Sequence, residues 1–160
     1  MNKHAVLQLI LEKLSVDLDI AQRAAQTAYE TATDEENIAE NKYDTLGLEA
    51  SYLAAGQAKR VEEIKQSLTL CQNLQLRAYD DQRGIEVGAL LGLEDENGRQ
   101  QWLFLAPDAA GLKVEVVGQP VTVITPRSPM GNSLLGKFEG DEVEILVAGT
   151  RQHFTVTEAK

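Results

Sequence analysis

Residues 3–33 read KHAVLQLILEKLSVDLDIAQRAAQTAYETAT and contain neither glycine nor proline. Leucines and then alanines recur along this stretch at alternating spacings of four and three residues, which is the pattern of one helix of a coiled coil. The repeating positions are Leu7, Leu11, Leu14, Leu18, Ala21, Ala25, Ala28 and Ala32. The stretch therefore predicts a single long helix that packs along another helix.

Residues 44–76 carry the same pattern and predict the partner helix. Their repeating positions are Gly47, Ala50, Ala54, Gln57, Val61, Ile64, Leu68 and Cys71. Because residues 33–43 are long enough only for a reversal, the two helices should form an antiparallel hairpin. Large residues then face each other at one end and small residues near the turn, and thirty helical residues span about 45 Å.

After residue 79 the pattern of the sequence changes to that of a β domain. All four prolines and ten of the twelve glycines follow residue 83. Apolar residues alternate with polar ones over six short stretches, and a brief helical segment is predicted at 133–136. The stretches are 85–93, 101–106, 112–117, 121–125, 143–147 and 154–157. We predict an α+β protein, with an antiparallel coiled-coil hairpin in residues 1–78 and a small antiparallel β domain in residues 79–160.

Composition limits the classes of function. The 160 residues carry a net charge of −10 and the isoelectric point is near 4.6, so bare nucleic acid and anionic membranes should repel the chain. Cys71 is alone and forms no internal disulfide, while His4 and His153 lie in different halves without a zinc ligand set. Neither a secretion signal nor a membrane-spanning run is present, so we expect a soluble cytoplasmic protein.

Carboxylates concentrate at the hairpin turn, at about residues 33–45 and just beside them. Residues 30–49 contain seven acidic residues and one basic residue, Lys42, so the net charge of these twenty positions is −6. The acidic residues are Glu30, Asp34, Glu35, Glu36, Glu40, Asp44 and Glu49. One interpretation is a solvated loop, with Thr33 and Glu36 forming a capping box. The other is a device for Mg²⁺, which prefers oxygen ligands and completes its shell with groups from a partner.

Two further patterns argue against self-contained catalysis. Residues 131–137 match the spacing of a phosphate-binding loop as far as Lys137, but Phe138 stands where a hydroxyl should hold Mg²⁺. No Gly-x-Ser-x-Gly motif occurs, and Cys71 lies on the heptad seam, where a buried apolar role is favoured over that of a nucleophile. We therefore expect a protein that is not an enzyme.

The segment Ser128-Pro129-Met130-Gly131-Asn-Ser-Leu-Leu-Gly136-Lys137-x-x-Gly140-Asp141-x-Val143 resembles that of the GreA/GreB transcript-cleavage factors. Together with the acidic hairpin, the resemblance covers nearly the whole chain. It implies an FKBP-like β domain that docks on bacterial RNA polymerase at the rim of the secondary channel, while the coiled coil enters the channel. The docking candidates that it implies are Ser128, Pro129, Met130 and Gly131.

The same resemblance implies that carboxylates at the hairpin end assist Mg²⁺-dependent cleavage of backtracked RNA at the polymerase active site. The candidates are Asp34, Glu36, Glu40 and Asp44, with Glu40 and Asp44 as possible ligands of the shared Mg²⁺ and Asn37 and Asn41 in support. No cofactor of the chain's own is implied. The cleavage-competent pattern Asp-x-x-Glu-Asn-Ala-Glu-Tyr fits in two ways. Alignment on Glu40 places Asn37 at the Asp position, and alignment on Glu36 needs a one-residue shift to use Asp34.

Three functions stay open at this point. The chain either stimulates cleavage, or occupies the channel and regulates the polymerase without cleavage. The third and weaker possibility is an FKBP-like isomerase or chaperone, which needs an apolar aromatic pocket. The aromatic residues for such a pocket are Tyr79, Trp102, Phe104, Phe138 and Phe154. Since the seam is satisfied within one hairpin, we expect a monomer.

Overall fold

A computed structural model describes residues 1–34 and 45–160 of the chain. It contains two long helices, α1 (Lys3–Thr33) and α2 (Thr45–Gln72), and a short helix, α3 (Pro129–Leu134). The strands are β1 (Leu90–Asp95), β2 (Gln100–Leu105), β3 (Lys113–Val116), β4 (Gln119–Ile124), β5 (Glu142–Val147) and β6 (Thr150–Ala159). The predicted α+β class and the order of its elements are confirmed.

The start of α1 and the end of α2 each have an identifiable structural cause. Asn2 caps α1, because its side-chain oxygen accepts hydrogen bonds from the backbone N–H groups of His4 (2.8 Å) and Ala5 (3.4 Å). Helix α2 ends at Gln72, four residues before the predicted end. Beyond it, the side chain of Leu76 is drawn to the β domain, where its Cδ2 would lie 3.2 Å from a Cβ built on Gly88. A tertiary contact thus overrides the helical pattern at this point.

Burial along the helices confirms the heptad seam. All sixteen predicted seam positions are buried or half-buried in α1 and α2. Ala28 and Ala50 are buried in the small-residue half, and Leu14 and Ile64 in the large-residue half. The first turns of α1 differ from the prediction, because Val6 and Ile10 are fully buried whereas Leu7 and Leu11 are only half-buried.

The six strands form one sheet in the order β3-β4-β2-β1-β6-β5. Neighbouring strands are antiparallel except β2 and β4, which run parallel. Residues 85–89, predicted as the start of the first strand, lie outside it. The Ala89 N–H donates a hydrogen bond to the Glu86 carbonyl (3.1 Å) in a turn, and Gly88 has a φ of 101°. The small β domain is therefore mostly antiparallel, as predicted.

The sheet buries apolar side chains on both faces. On one face, Leu91 of β1 pairs with Leu103 of β2, and both belong to a core that includes Leu134 of α3. On the other face, Leu90, Phe104 and Val123 are neighbours across β1, β2 and β4, and each is completely inaccessible to solvent. The central strands are therefore packed on both faces, whereas Glu142, Glu144 and Leu146 of the edge strand β5 are exposed.

The chain divides into two compact units. One contains Met1–Glu12 and Thr69–Lys160, and the other contains Lys13–Leu68. Within the first unit, the Lys3 ammonium donates a hydrogen bond to the carbonyl of Arg77, and that of Lys160 to the carbonyl of Met1. The domain boundary at residues 78 and 79 stays a prediction. Among the described residues, no helix combines the length and the apolar character needed to cross a membrane.

Candidate functional site

The segment that carries the family resemblance begins with a tightly built cap on α3. The Ser128 hydroxyl donates a hydrogen bond to the Thr125 carbonyl (2.7 Å) and accepts one from the Gly131 N–H (3.1 Å). Pro129 follows at the first helical position, where a missing N–H costs nothing. Gly131 packs so closely that a Cβ built there would lie 1.9 Å from the Thr125 oxygen. Each of these residue types is required by the local backbone.

The segment continues through a turn into β5. Gly136, with a φ of 76°, donates its N–H to the Ile85 carbonyl (2.9 Å), and the Ile85 N–H donates to the Lys137 carbonyl (2.8 Å). The Asp141 carboxylate then accepts a hydrogen bond from the Phe138 N–H (2.9 Å). This network fixes residues 136–141 as a rigid turn next to residues 84–85.

The structure brings the four docking candidates together on one helical turn, with different exposures. Pro129 is exposed, Ser128 and Met130 are half-buried, and Gly131 is buried. Met130 packs against the core of the β domain. Ser128 and Gly131 thus have structural roles that explain their presence, and among the four only Pro129 offers a largely open side chain.

An open cleft of about 1100 Å³ lies beside the turn at residues 136–141. Phe138 and Glu139 form one wall, and residues from 77 to 83 form the other. The Tyr79 hydroxyl accepts a hydrogen bond from the Glu139 N–H at 3.0 Å and so joins the two walls. Arg83 pairs with Asp80 (3.5 Å) and Glu86 (3.2 Å) on the second wall.

The cleft was missed from the sequence, although one signal pointed to it. Phe138 is a large aromatic residue at an unspecified position within the family segment, and it is 37% exposed. The second wall of the cleft is formed by residues about sixty positions before Phe138 in the sequence, and no local sequence pattern reveals that the two walls meet. Mixed charges and a single exposed aromatic ring suit a protein surface better than a small apolar ligand.

The acidic end of the hairpin is described only in part. Asp34 is exposed immediately after the end of α1, and Glu30 and Glu49 are exposed on α1 and α2. Glu36, Asn37, Glu40, Asn41 and Asp44 lie outside the described residues. Thr33 of the predicted capping box is the last residue of α1, and its hydroxyl donates a hydrogen bond to the Tyr29 carbonyl (2.8 Å). Within residues 1–34 and 45–160, no three His, Cys, Asp or Glu side chains come together in a group that could hold a metal ion.

The aromatic residues named for an isomerase pocket serve mainly in packing. Phe104 and Phe154 are buried, and Trp102 is half-buried on β2. Tyr79 and Phe138 border the cleft described above, where charged side chains dominate the lining, and Phe154 borders a second cleft that is lined mainly by polar and charged residues. The described residues therefore do not form the apolar aromatic pocket that an isomerase requires.

The three groups considered for nucleophilic or zinc chemistry are separated in space. Cys71 is fully buried in α2, and its burial raises the pKa of the thiol to about 11. His4 is exposed near the start of α1. His153 lies on β6, with its Nε2 3.8 Å from Glu96 and 4.0 Å from Glu144. None of the three is placed as an activated nucleophile or in a zinc site.

Comparison with solved structures finds proteins of the GreA type. The GreA factor homologue 1 (Gfh1) of Thermus thermophilus is 20% identical over 94% of each chain, with a TM-score of 0.38. Gfh1 of Thermus aquaticus is 21% identical over 92% of each chain, with a TM-score of 0.40. The elongation factor GreA/GreB of Nitrosomonas europaea is 16% identical over 71% of this chain and 92% of its own, with a TM-score of 0.37. The chain resembles these factors in fold. No family model matches the chain, and neither does any curated protein.

Proposed function

We propose that this chain is a bacterial transcription factor that binds RNA polymerase and acts in the cytoplasm. In this proposal the helical hairpin enters the secondary channel, and carboxylates at its end assist cleavage of backtracked RNA. The polymerase supplies the active site, and the chain is an accessory factor without catalysis of its own.

The observation that carries the proposal is the unbroken course of α1 up to the acidic segment. Its 31 residues form one continuous helix, a rod about 46 Å long. The buried seam stiffens α1 against α2, since alternate positions such as Leu14, Ala21 and Ala28 are closed to solvent. The exposed Asp34 follows the last turn of this rod. Such a rod is suited to carry carboxylates into a narrow passage.

The chemistry of the side chains suits the shared metal. Asp34, Glu36, Glu40 and Asp44 offer only oxygen atoms, which are the ligands that Mg²⁺ prefers. When bound at the polymerase active site, Mg²⁺ supplies Lewis-acid activation of water and stabilises negative charge at phosphorus. The part of this chain is to add oxygen ligands and to orient water.

Docking is proposed for two surfaces of the β domain, the helical turn at residues 128–131 with its exposed Pro129 and the cleft beside Phe138. In the cleft, Phe138 presents apolar surface, and Arg77 and Asp81 add charges of both signs. This combination of an apolar centre with a charged rim is typical of a transient protein interface. The rigid hydrogen-bonded turn would bind without a large loss of conformational entropy.

A transcript-cleavage assay tests the proposal. Purified protein is added to backtracked elongation complexes, and the RNA is resolved on a gel. We expect shortened RNA with the wild type, and its loss in Glu40→Ala and in Asp34→Ala. The exposed Glu63 of α2 lies away from the hairpin end, so Glu63→Ala serves as the matched control and should cleave like the wild type.

Asn37 stands where the cleavage-competent pattern has Asp when the alignment is made on Glu40. This difference supports one alternative function, a regulator that occupies the channel without cleavage. In the alignment on Glu40, a neutral amide replaces one ligand, which weakens the interaction with Mg²⁺. This alternative predicts that the protein slows RNA extension without producing shortened RNA, and that Glu40→Ala slows extension to the same degree. Absence of both cleavage and polymerase binding, in complexes that respond to an authentic Gre factor, would overturn the proposed function.

A further inference from the structure

Strand β5 forms one end of the sheet and has a free backbone edge. In the order β3-β4-β2-β1-β6-β5, it pairs with β6 on one side and is the last strand on the other. A strand in this position directs half of its N–H and C=O groups away from the sheet, where another strand can pair with them. The residues at this edge therefore decide what could bind there.

The turn after β5 determines which of its residues face outward. Ala148 and Gly149 have φ values of 51° and 80° and form a two-residue turn between β5 and β6. The flanking residues Val147 and Thr150 are paired across the two strands. In a hairpin of this kind the flanking pair is hydrogen-bonded, and so is every second pair after it. The residues of β5 whose backbones bond to β6 are thus Val143, Ile145 and Val147.

The intervening residues of β5 direct their backbone groups away from β6. They are Glu142, Glu144 and Leu146, and we name them the β5 edge. The hydrogen bond from the Val156 N–H to the Asp141 carbonyl (2.9 Å) fits the same alternation, because Asp141 lies one residue before the β5 edge begins. The β5 edge therefore presents a row of N–H donors and C=O acceptors on the outer side of the sheet.

The β5 edge is regular and long enough to bind another strand. β5 pairs with β6 at six successive positions, and it contains no proline. The strand at the opposite end of the sheet, β3, has only four residues. Sheets commonly protect their edges by short strands, bulges or prolines. Since β5 has none of these features, it is the better suited of the two edge strands to accept a further strand.

The side chains of the β5 edge share one face of the sheet and give it a negative charge. All three are exposed, and Leu146 is 64% exposed. Oε1 of Glu144 lies 3.4 Å from a guanidinium nitrogen of Arg151 and 4.0 Å from Nε2 of His153, so both cationic groups of β6 approach the same oxygen. Glu142 is paired across the strands with the uncharged Thr155. Two carboxylates thus lie beside the outward backbone groups.

We propose that the β5 edge binds an extended segment of a partner protein that carries lysine or arginine at alternate positions and adds to the sheet as a further strand. The backbone of the segment pairs with the outward N–H and C=O groups. Its cationic side chains lie beside Glu142 and Glu144, where opposite charges on neighbouring strands attract. A second copy of this chain is a poorer occupant, because it brings the same two glutamates and a net charge of −10.

A peptide titration of the full chain tests the proposal. The probe is the peptide acetyl-Lys-Val-Lys-Val-Lys-Val-amide, and the matched control peptide has glutamate in place of each lysine. NMR spectroscopy of isotope-labelled protein measures the binding. We expect saturable binding of the lysine peptide, at least about tenfold tighter than that of the glutamate peptide. Bound peptide should slow the hydrogen exchange of the backbone amides of Glu142, Glu144 and Leu146 several-fold.

A charge reversal on β5 tests the contribution of the carboxylates. Glu142→Lys should weaken the binding of the lysine peptide several-fold, because like charges would then face each other on neighbouring strands. Glu115→Lys makes the same change at an exposed glutamate of β3, the opposite edge strand, and should leave the affinity unchanged. Circular dichroism and thermal unfolding check that both variants are folded like the wild type.

Methylation of the peptide backbone tests whether a strand is added. One probe is methylated at the backbone nitrogens of its lysines and a second at those of its valines, since the methyl group removes the N–H donor. Loss of binding only with methylated lysines would indicate an antiparallel strand, and loss only with methylated valines a parallel one, because different residues face the neighbouring strand in the two arrangements. Either result supports the added strand, whereas equal affinities of the two methylated probes would overturn it.

Failure of the lysine peptide to bind would overturn the proposal, as would equal binding of the lysine and glutamate peptides or an unchanged affinity in Glu142→Lys. A wild-type dimer in sedimentation velocity, whose formation slows exchange of the β5 edge amides, would assign the edge to a second copy and overturn the proposal as well. The proposal does not depend on the proposed function, because the cleavage assay with Glu40→Ala and Asp34→Ala reports on the hairpin end alone.

Discussion

At the scale of single residues, Cys71 shows how position decides the chemistry of a group. Burial in α2 is the main cause that raises the pKa of its thiol from 9.0 to about 11, and the nearby Asp108 carboxylate adds to it. At neutral pH the group is therefore a protonated, apolar side chain. Its role is to fill the last seam position of α2, as expected from the heptad pattern.

This shift predicts a loss of stability at alkaline pH. Because the folded state holds the Cys71 proton more tightly than the unfolded state, the stabilisation is complete below about pH 9 and is lost as the pH rises through about 11. Urea unfolding of the wild type and of Cys71→Ala should show a difference in stability that shrinks across this window. A difference that stays constant with pH would contradict the assignment.

Thiol labelling independently tests whether Cys71 is buried in the native protein. At about pH 8 an aromatic disulfide reagent should react slowly with native Cys71 and rapidly after unfolding in urea, since the reactive species is the thiolate. Equal rates in the two states would show that the thiol is accessible in the native protein.

At the scale of elements, Gly56 of α2 and Gly131 of α3 differ in their structural role. A Cβ on Gly131 of α3 would lie 1.9 Å from the Thr125 oxygen, whereas a Cβ on Gly56 of α2 would meet nothing within 4 Å. Gly131 is therefore required by close packing. Gly56 only weakens its helix.

The two glycines yield opposite predictions for the same substitution. Gly131→Ala should destabilise the protein by about 2–4 kcal/mol, because the backbone of the cap must move. Gly56→Ala should stabilise it by about 0.5–1 kcal/mol through the helix propensity of alanine. Chemical denaturation measures both. A neutral Gly131→Ala would show that the cap can shift freely.

Elements defined by local periodicity could be predicted from the sequence. The bounds of α1 follow from residues 3–33, because that stretch has no helix breaker and a continuous heptad. Residues 85–89 were predicted as strand, since their apolar alternation cannot reveal that Ile85 bonds to the turn at residues 136–137. The shortened α2 and the buried Val6 and Ile10 have the same explanation, because tertiary contacts set them.

The candidate site was less predictable than the fold. The family segment identified the turn at residues 128–131, but the hydrogen bonds of Ser128 and the close packing of Gly131 show why those residue types are needed for the cap itself. The cleft beside Phe138 could be found only from the structure, because it combines residues that are distant in sequence. The carboxylates at the hairpin end remain a prediction from the sequence.

At the scale of the whole molecule, the net charge of −10 governs association. If the hairpin enters a basic channel, its affinity for RNA polymerase should fall about tenfold between about 50 and 300 mM salt, because ions screen the attraction. Fluorescence anisotropy of labelled factor measures this change. Naked RNA is the control and should not bind at either salt concentration. An affinity independent of salt would contradict an electrostatic contribution.

The division of the chain into units has a consequence for its synthesis on the ribosome. The unit Lys13–Leu68 is continuous, so it can fold as soon as its last residues leave the exit tunnel. The other unit combines Met1–Glu12 with Thr69–Lys160, and Lys160 exchanges backbone hydrogen bonds with Leu90 of the central strand β1. Residues 1–12 are therefore made before residues 69–160, and they reach their native environment only after that later segment has been synthesised. During that interval the nascent chain exposes Val6 and Ile10, whose side chains are fully buried in the folded protein.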